Sequence, residues 1–168
     1  AHVHALVEVT DSKYIGDVLV GHQVKVAKGA LVVGQRVTMA VDPIRRRRIE
    51  RNHTATHLLH KALREVLGAD AKQAGSLVAP ERLRFDFTHY AAVTPDELTA
   101  IETRVNELVM ADEPVGANQM AYDEAIAAGA IALFGEKYEA DVRMIAIGED
   151  TSKELCGGTH LTRTGQIG

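Results

Sequence analysis

The chain has 168 residues, 46% of them hydrophobic and 25% charged, a composition ordinary for a globular protein with one good core or two small ones. No apolar run approaches the roughly 20 residues that span a bilayer, and the first residues lack the features of a signal peptide, so neither membrane insertion nor secretion is expected. The single cysteine excludes an internal disulfide and favours a reducing cytoplasm, while the net charge of −4 requires any attraction to nucleic acid to be local.

Short β-type runs fill the first part of the chain. Apolar residues alternate with polar ones up to Thr10, and turn signals divide the runs at Asp11-Ser12, Lys28-Gly29 and Val33-Gly34-Gln35. Three or four strands are too few to close a barrel on itself. We therefore predict a partial antiparallel β-barrel module over residues 1–41, and a second domain over 42–168.

A long helix is predicted next. Asp42 can cap its free N–H groups, Pro43 suits the first helical position, and Gly68 suits a left-handed C-terminal position. His53 and His57 lie mid-helix, and at about 100° per residue they share one face, about one turn apart.

The start of this helix carries a strongly basic run. Its members are Arg45, Arg46, Arg47 and Arg48. Such a local patch is a candidate for phosphate contact, and a solvated basic helix turn is an equally good interpretation.

The remaining segments predict alternating strands and helices. In order, we predict strands 72–78 and 82–87, a helix 94–110, a strand 115–121, a short helix 123–128, a loop 134–138, a strand 142–147 and a turn 148–152. Strict alternation in the second of these strands puts Arg84 and Asp86 on one face, which is either solvent or a polar cavity. The expected fold is α+β, with the long helix packed on an antiparallel sheet.

Two short motifs predict a metal site. His53 and His57 provide two imidazoles, and Cys156 and His160 provide a thiolate and a third imidazole, a set that suits zinc better than calcium or magnesium. Each pair alone is a weak signal. Core histidines with a buried thiol are the alternative, and His60 is a possible ligand in place of His160.

Several motifs, taken together and in order, resemble the editing region of alanyl-tRNA synthetase over nearly the whole chain. They are His53-Thr54-Ala55-Thr56-His57, Gly75-Ser76, Arg84-Phe85-Asp86-Phe87, Ala132-Leu133-Phe134-Gly135-Glu136-Lys137-Tyr138 and Cys156-Gly157-Gly158-Thr159-His160. The resemblance implies an editing domain that hydrolyses serine or glycine from wrongly charged tRNA(Ala) and binds Zn²⁺ through His53, His57, Cys156 and His160. It also implies that the other domains of an ATP-binding parent ligase are missing from this chain.

The resemblance further implies roles at the acceptor end of the tRNA. Gln73 is similar to a family position that lines the pocket, and Ser76, Arg84 and Asp86 are weaker candidates for substrate binding. Zinc can activate water, polarise the ester carbonyl or position the substrate, so the hydrolytic water is assigned to the zinc and no side chain is assigned as catalytic.

Three other functions compete with this one. A free-standing trans-editing protein and the editing domain of threonyl-tRNA synthetase share the zinc-ligand pattern, and a purely structural zinc module would only present an RNA-binding surface. The Gly-Gly-Thr-His ending and the Phe-Gly-Glu-Lys-Tyr segment favour the alanyl type.

Overall fold

A computed structural model describes residues 5–16, 19–133 and 137–168. The chain divides into two compact units, residues 1–40 and 41–168. Helices and antiparallel strands occur together in it, which confirms the α+β class.

Among the described residues of the first unit, β1 (Leu6–Ile15) and β2 (Leu19–Lys28) form an antiparallel pair. The predicted turn at Asp11-Ser12 is wrong, because β1 continues through it with a register shift between Val9 and Asp11. A bulge absorbs an extra residue without ending a strand. The described residues of this unit form no closed barrel. Predicted strand residues at 1–4 and 17–18 lie outside the described residues.

The second unit begins with the long helix α1, which covers Pro43–Leu67. The Asp42 side chain accepts hydrogen bonds from the backbone N–H groups of Ile44 and Arg45, at 2.8 and 3.1 Å. Gly68 follows the helix with a φ of 99°, a conformation that other residues rarely adopt. Both predicted ends of this helix are confirmed.

A hairpin and a second helix pack against α1. The hairpin pairs β3 (Gln73–Val78) with β4 (Leu83–Phe87), and α2 covers Pro95–Met110. A capping box begins α2 next to the predicted start, since the Thr94 hydroxyl accepts from the backbone N–H of Glu97 and the Glu97 carboxylate accepts from that of Thr94.

A three-stranded antiparallel sheet completes the unit. Its strands are β5 (Val115–Ala121), β6 (Asp141–Ile147) and β7 (Ser152–Leu155), with β6 in the middle. The short helix α3 (Tyr122–Ala127) follows β5, and the chain ends in a 3₁₀ helix, Thr164–Ile167. The loop predicted over 134–138 lies largely outside the described residues.

Two apolar clusters hold α1 in place. Leu58 packs with Leu108, Ile145 and Ile147 from α2 and β6. Farther along α1, Ala62 and Leu63 pack with Ala71 and Ile101, and with the aromatic rings of β4. Because α1 is fixed on two sides, its mid-helix histidines are held on rigid backbone.

Within the part of the chain that is described, no helix combines enough length with enough apolar character to cross a membrane.

Candidate metal centre

The middle of α1 presents two imidazoles to the interior of the second unit. His57 is 5% exposed and His53 is half-buried. Their ring centroids lie 5.6 Å apart and the planes differ by 14°, as expected for positions one helical turn apart.

The segment after β7 brings Cys156 and His160 to these rings. The backbone N–H of Cys156 donates to the carbonyl of Arg143 at 3.0 Å, which ties the segment to β6. The N–H of Leu161 donates to the hydroxyl of Thr54 at 3.1 Å, which ties it to α1. Two distant parts of the sequence are thereby held together by backbone contacts on both sides of the motif.

Four side chains converge to form a candidate metal centre: His53, His57, Cys156 and His160. Their nearest ligand atoms all lie within 4.8 Å of one another. Cys156 Sγ is 3.4 Å from His53 Nε2 and 3.3 Å from His160 Nε2. A tetrahedral zinc ion, with Zn–S of ~2.3 Å and Zn–N of ~2.0 Å, separates sulfur from nitrogen by roughly 3.5 Å. The spacing therefore fits a metal ion of this size.

The orientation of His57 supports the same interpretation. Its Nδ1 lies 3.0 Å from Glu154 Oε2, close enough for an ion pair but misaligned for a hydrogen bond, so both ring nitrogens are buried without a hydrogen-bond partner. Buried polar atoms in native proteins are almost always satisfied. Since Nδ1 lies against Glu154, Nε2 is the nitrogen left for the cluster, and a metal ion would satisfy it.

The electrostatics of the cluster also favour a cation. Burial opposes ionisation of Cys156, yet the neighbouring His160, His53 and His57 rings lower the pKa of its thiol to about 3. Burial likewise opposes charge on His57, but the Cys156 sulfur and the Glu154 carboxylate raise its pKa to about 10. Burial lowers the pKa of His160. At neutral pH the sulfur is therefore a thiolate, the form that binds metal ions, and His57 has to release a proton when an ion binds.

The two glycines after Cys156 have different surroundings. A Cβ at Gly158 would overlap the ring of His53, whereas a Cβ at Gly157 would meet nothing within 4 Å. The side chain of Arg143 donates to the carbonyls of Cys156 and Gly158, at 2.9 and 2.6 Å, and so fixes the backbone between them. Gly158 thus allows the chain to pass directly over a ligand ring.

Three members of the cluster, His53, His57 and Cys156, line a cavity of about 320 Å³. Gln73 and Ser76, both from β3, line the same cavity. So do Arg143 from β6 and Tyr138. Predicted metal ligands and two of the predicted substrate-binding residues therefore share one space.

The other two predicted substrate-binding residues lie elsewhere. Arg84 and Asp86 are exposed on β4 and form an ion pair with each other, with Nε and Oδ2 3.2 Å apart. Neither is among the described residues that line the cavity.

The predicted basic run occupies the first two turns of α1. The side chains of Arg45, Arg47 and Arg48 are exposed, and that of Arg46 is partly buried. Arg47 is 3.4 Å from Glu50, a weak exposed pair. The run is accessible to a ligand from solvent.

Sequence reasoning overlooked two residues of the site. Glu154 is buried beside His57 and His60, and Arg143 holds the Cys156 segment. Alternation along a strand places Glu154 on the same face as Cys156, a signal that could have identified it. Arg143 has no comparable signal, because its role depends on which backbone carbonyls face it. His60 lies outside the four-residue cluster and contacts Glu154 instead.

Known proteins provide an independent comparison. Residues 142–168 match the family described as threonyl and alanyl tRNA synthetase second additional domain. An alanine–tRNA ligase of Oleidesulfovibrio alaskensis is 54% identical over 96% of the chain, and one of Halorhodospira halophila is 56% identical over 88%. One of Rhizobium johnstonii is 49% identical over 98% of the chain. The chain spans 17 to 20% of the length of these relatives. The resemblance to the editing region of alanyl-tRNA synthetase is therefore confirmed, at 49 to 56% identity along 88 to 98% of the chain.

Proposed function

We propose that this chain is a zinc-dependent editing domain that hydrolyses the ester of seryl- or glycyl-tRNA(Ala). The observation that carries the proposal is the cluster of His53, His57, Cys156 and His160, the first three of which line a cavity that Gln73 also lines. In this assignment residues 42–168 are the editing domain, residues 1–41 belong to a β-barrel module, and the parent ligase works in the cytoplasm.

Zinc is the metal that this donor set favours. One thiolate and three imidazoles form a borderline-soft site, whereas calcium and magnesium prefer oxygen ligands. When bound, zinc can polarise an ester carbonyl, activate water or position a substrate. Four protein ligands fill a tetrahedral site and leave no coordination position for water. This favours a role for zinc in positioning the substrate, unless one of the protein ligands dissociates.

The need for a second site follows from the size of alanine. A pocket that accepts alanine cannot exclude glycine by sterics and rejects an added hydroxyl by only on the order of a hundredfold. A site that offers hydrogen bonds to the serine hydroxyl reverses this preference, because alanine would leave the polar groups unpaired. Gln73, half-buried at the cavity wall, is the side chain we assign to that hydroxyl or to the amino group.

The remaining assignments concern the rest of the tRNA acceptor end. Ser76 lies at the cavity and could contact the terminal ribose or the amino acid. Arg84 and Asp86 remain weaker candidates for substrate contact, since they pair with each other on an exposed strand face. The basic run at the start of α1 would meet the phosphate backbone: Arg45, Arg46, Arg47 and Arg48.

Deacylation of charged tRNA tests the proposal directly. The purified chain is incubated with tRNA(Ala) that carries serine, glycine or alanine, with zinc and after its removal. We expect loss of the serine and glycine esters well above the uncatalysed rate, with the alanine ester spared. Equal hydrolysis of all three, or none at any enzyme concentration, would contradict the assignment.

A structural zinc module is the second candidate, favoured by the four ligands that would fill a tetrahedral site. Circular dichroism after chelation separates the two functions. A structural site would lose its folded signal with the metal, whereas the editing site, backed by the apolar clusters around α1, should keep most of it.

A further inference from the structure

Glu154 is a buried carboxylate shared by two histidines. It is 4% exposed and lies on β7, two positions before Cys156. Oε2 is 3.0 Å from His57 Nδ1. Oε1 is 3.1 Å from His60 Nδ1 and accepts a hydrogen bond from the Ser152 hydroxyl at 3.1 Å. The three side chains that contact this carboxylate are thus hydrogen-bond donors or can become donors by protonation.

This arrangement determines which nitrogen of His57 carries hydrogen. An ionised carboxylate only accepts hydrogen bonds, so the nitrogen that faces it must be protonated. For His57 that nitrogen is Nδ1. Once the ring has released its second proton, Nε2 keeps a lone pair, and this nitrogen, buried without a hydrogen-bond partner, can bind a metal ion.

We propose that Glu154 is a positioning residue for the metal ligand His57, fixing the ring and its Nδ1–H tautomer so that Nε2 points at the metal. The inference rests on the metal binding assumed in the proposed function, and it is independent of which ester is hydrolysed. Carboxylates that orient metal-bound histidines in this way typically affect metal affinity by about 10- to 100-fold.

The role is more specific than filling space in the core. A buried carboxylate is costly to desolvate, and apolar residues of similar volume often replace buried ion pairs without loss of stability. A residue that only packed β7 against α1 would therefore not need a charge. The charge is needed if a histidine between the carboxylate and a metal ion has to keep one tautomer.

Glu154→Gln tests the inference with little change in shape. The amide keeps one oxygen and replaces the other with a donor, so the side chain can no longer present an acceptor oxygen to both His57 Nδ1 and His60 Nδ1. We expect zinc affinity, measured by competition with a chromophoric chelator, to fall about 10- to 100-fold. Thermal unfolding of the metal-free variant shows whether the fold is intact.

Two control variants separate this role from a general effect. Glu113→Gln makes the same chemical change at another carboxylate with a buried, unpartnered oxygen, outside the metal cluster. Ser152→Ala removes a donor to Oε1 and leaves the contact between Oε2 and His57. Both should bind zinc as the parent does. Parent-like affinity in folded Glu154→Gln would overturn the inference.

A measurement on the unmodified chain needs no variant to fold. Side-chain ¹⁵N NMR of the zinc-loaded protein should show hydrogen on His57 Nδ1 and metal on Nε2. Metal bound to His57 Nδ1 would overturn the inference. A chain that binds no zinc would overturn both the inference and the metal site. Zinc binding with this tautomer but without ester hydrolysis would overturn only the proposed reaction.

Discussion

Cys156 supplies the only sulfur of the cluster. Cys156→Ala removes the thiolate charge and leaves three imidazoles, so we expect the zinc content of protein purified without chelators to fall from near-stoichiometric to a small fraction. Elemental analysis measures this directly. His22→Ala, which removes an exposed histidine on β2, should leave the zinc content unchanged. Unchanged zinc in Cys156→Ala would move the site to other residues or remove it.

Gly158 and Gly157 form a matched pair for testing how closely the chain passes over His53. Gly158→Ala would push the new methyl group into the His53 ring, so we expect weaker zinc binding and a lower melting temperature. Gly157→Ala, with open space around the added methyl group, should behave as the parent in both measurements. Equal effects of the two substitutions would mean that the ring is not held where the structure places it.

Gln73 tests substrate recognition separately from metal binding. Gln73→Ala removes a polar group from the cavity wall, and we expect seryl-tRNA(Ala) hydrolysis to fall about 5- to 150-fold, the loss that corresponds to about 1–3 kcal/mol for a buried hydrogen bond. Zinc content and melting temperature should not change. Gln119→Ala, at an exposed position of β5, is the matched control. Parent-like serine hydrolysis would exclude Gln73 from recognition.

The four candidate ligands could be predicted from the sequence because two of them are spaced one helical turn apart and the other two lie in one short motif. What could not be predicted is how each ring is oriented. Strand alternation could have pointed to Glu154, but its contact with His57 joins residues distant in sequence, as do the contacts of Arg143 with the Cys156 segment, and no single-sequence pattern determines such contacts. The orientation of the β3–β4 hairpin could not be predicted either. It decides that Gln73 and Ser76 line the cavity whereas Arg84 and Asp86 do not.

At the scale of elements, one ion pair joins the two long helices. Arg104 Nε lies 2.6 Å from Glu65 Oε2, and this hydrogen bond lowers the pKa of Glu65. A carboxyl whose pKa is lowered on folding adds stability above its ordinary pKa and loses it as the pH falls through the folded value. We expect Arg104→Gln to reduce the free energy of unfolding by about 0.5 kcal/mol at neutral pH, because both side chains are partly exposed.

Denaturant unfolding at several pH values checks this expectation. The difference between Arg104→Gln and the parent should shrink toward acid pH, where Glu65 is protonated in both proteins. Arg82→Gln, at an exposed position between β3 and β4, should show no such difference. A difference that stays constant with pH would assign the effect of Arg104 to packing.

Helices were more predictable than strands in this chain. Both ends of α1 and the start of α2 follow from capping residues, which act over three or four positions. The turn predicted at Asp11-Ser12 was wrong because strand pairing overrode a local turn preference. β7 was missed, since its four residues carry two charges and become a strand only by pairing with β6.

At the scale of the molecule, the proposed tRNA substrate is a polyanion and the protein itself is negatively charged. The net charge is −4, so we expect capture of tRNA to depend on the four arginines at the start of α1 and to weaken steeply with salt. Changing Arg45 and Arg48 to Glu should raise the tRNA concentration needed for half-maximal hydrolysis and leave the rate at saturation unchanged. Steady-state kinetics at two salt concentrations measures both quantities.

The control for this prediction has the same change in charge. Lys25 and Lys28 of β2, changed to Glu, alter the net charge equally without touching α1. If the start of α1 contacts phosphate, this control should have the smaller effect on half-saturation. A collapse of the saturated rate in the arginine variant would place that helix end in the catalytic apparatus instead.

The distance in sequence between the two halves of the centre also sets the order of its assembly. His53 and Cys156 are 103 residues apart, so α1 leaves the ribosome long before its partners exist. At about 5–20 residues per second, synthesis of the intervening chain takes roughly 5 to 20 s. During that interval the nascent chain offers two imidazoles without a thiolate, a weak site for any metal. At the proposed centre, a fully coordinated ion can therefore enter only after the segment that follows β7, with Cys156 and His160, has emerged.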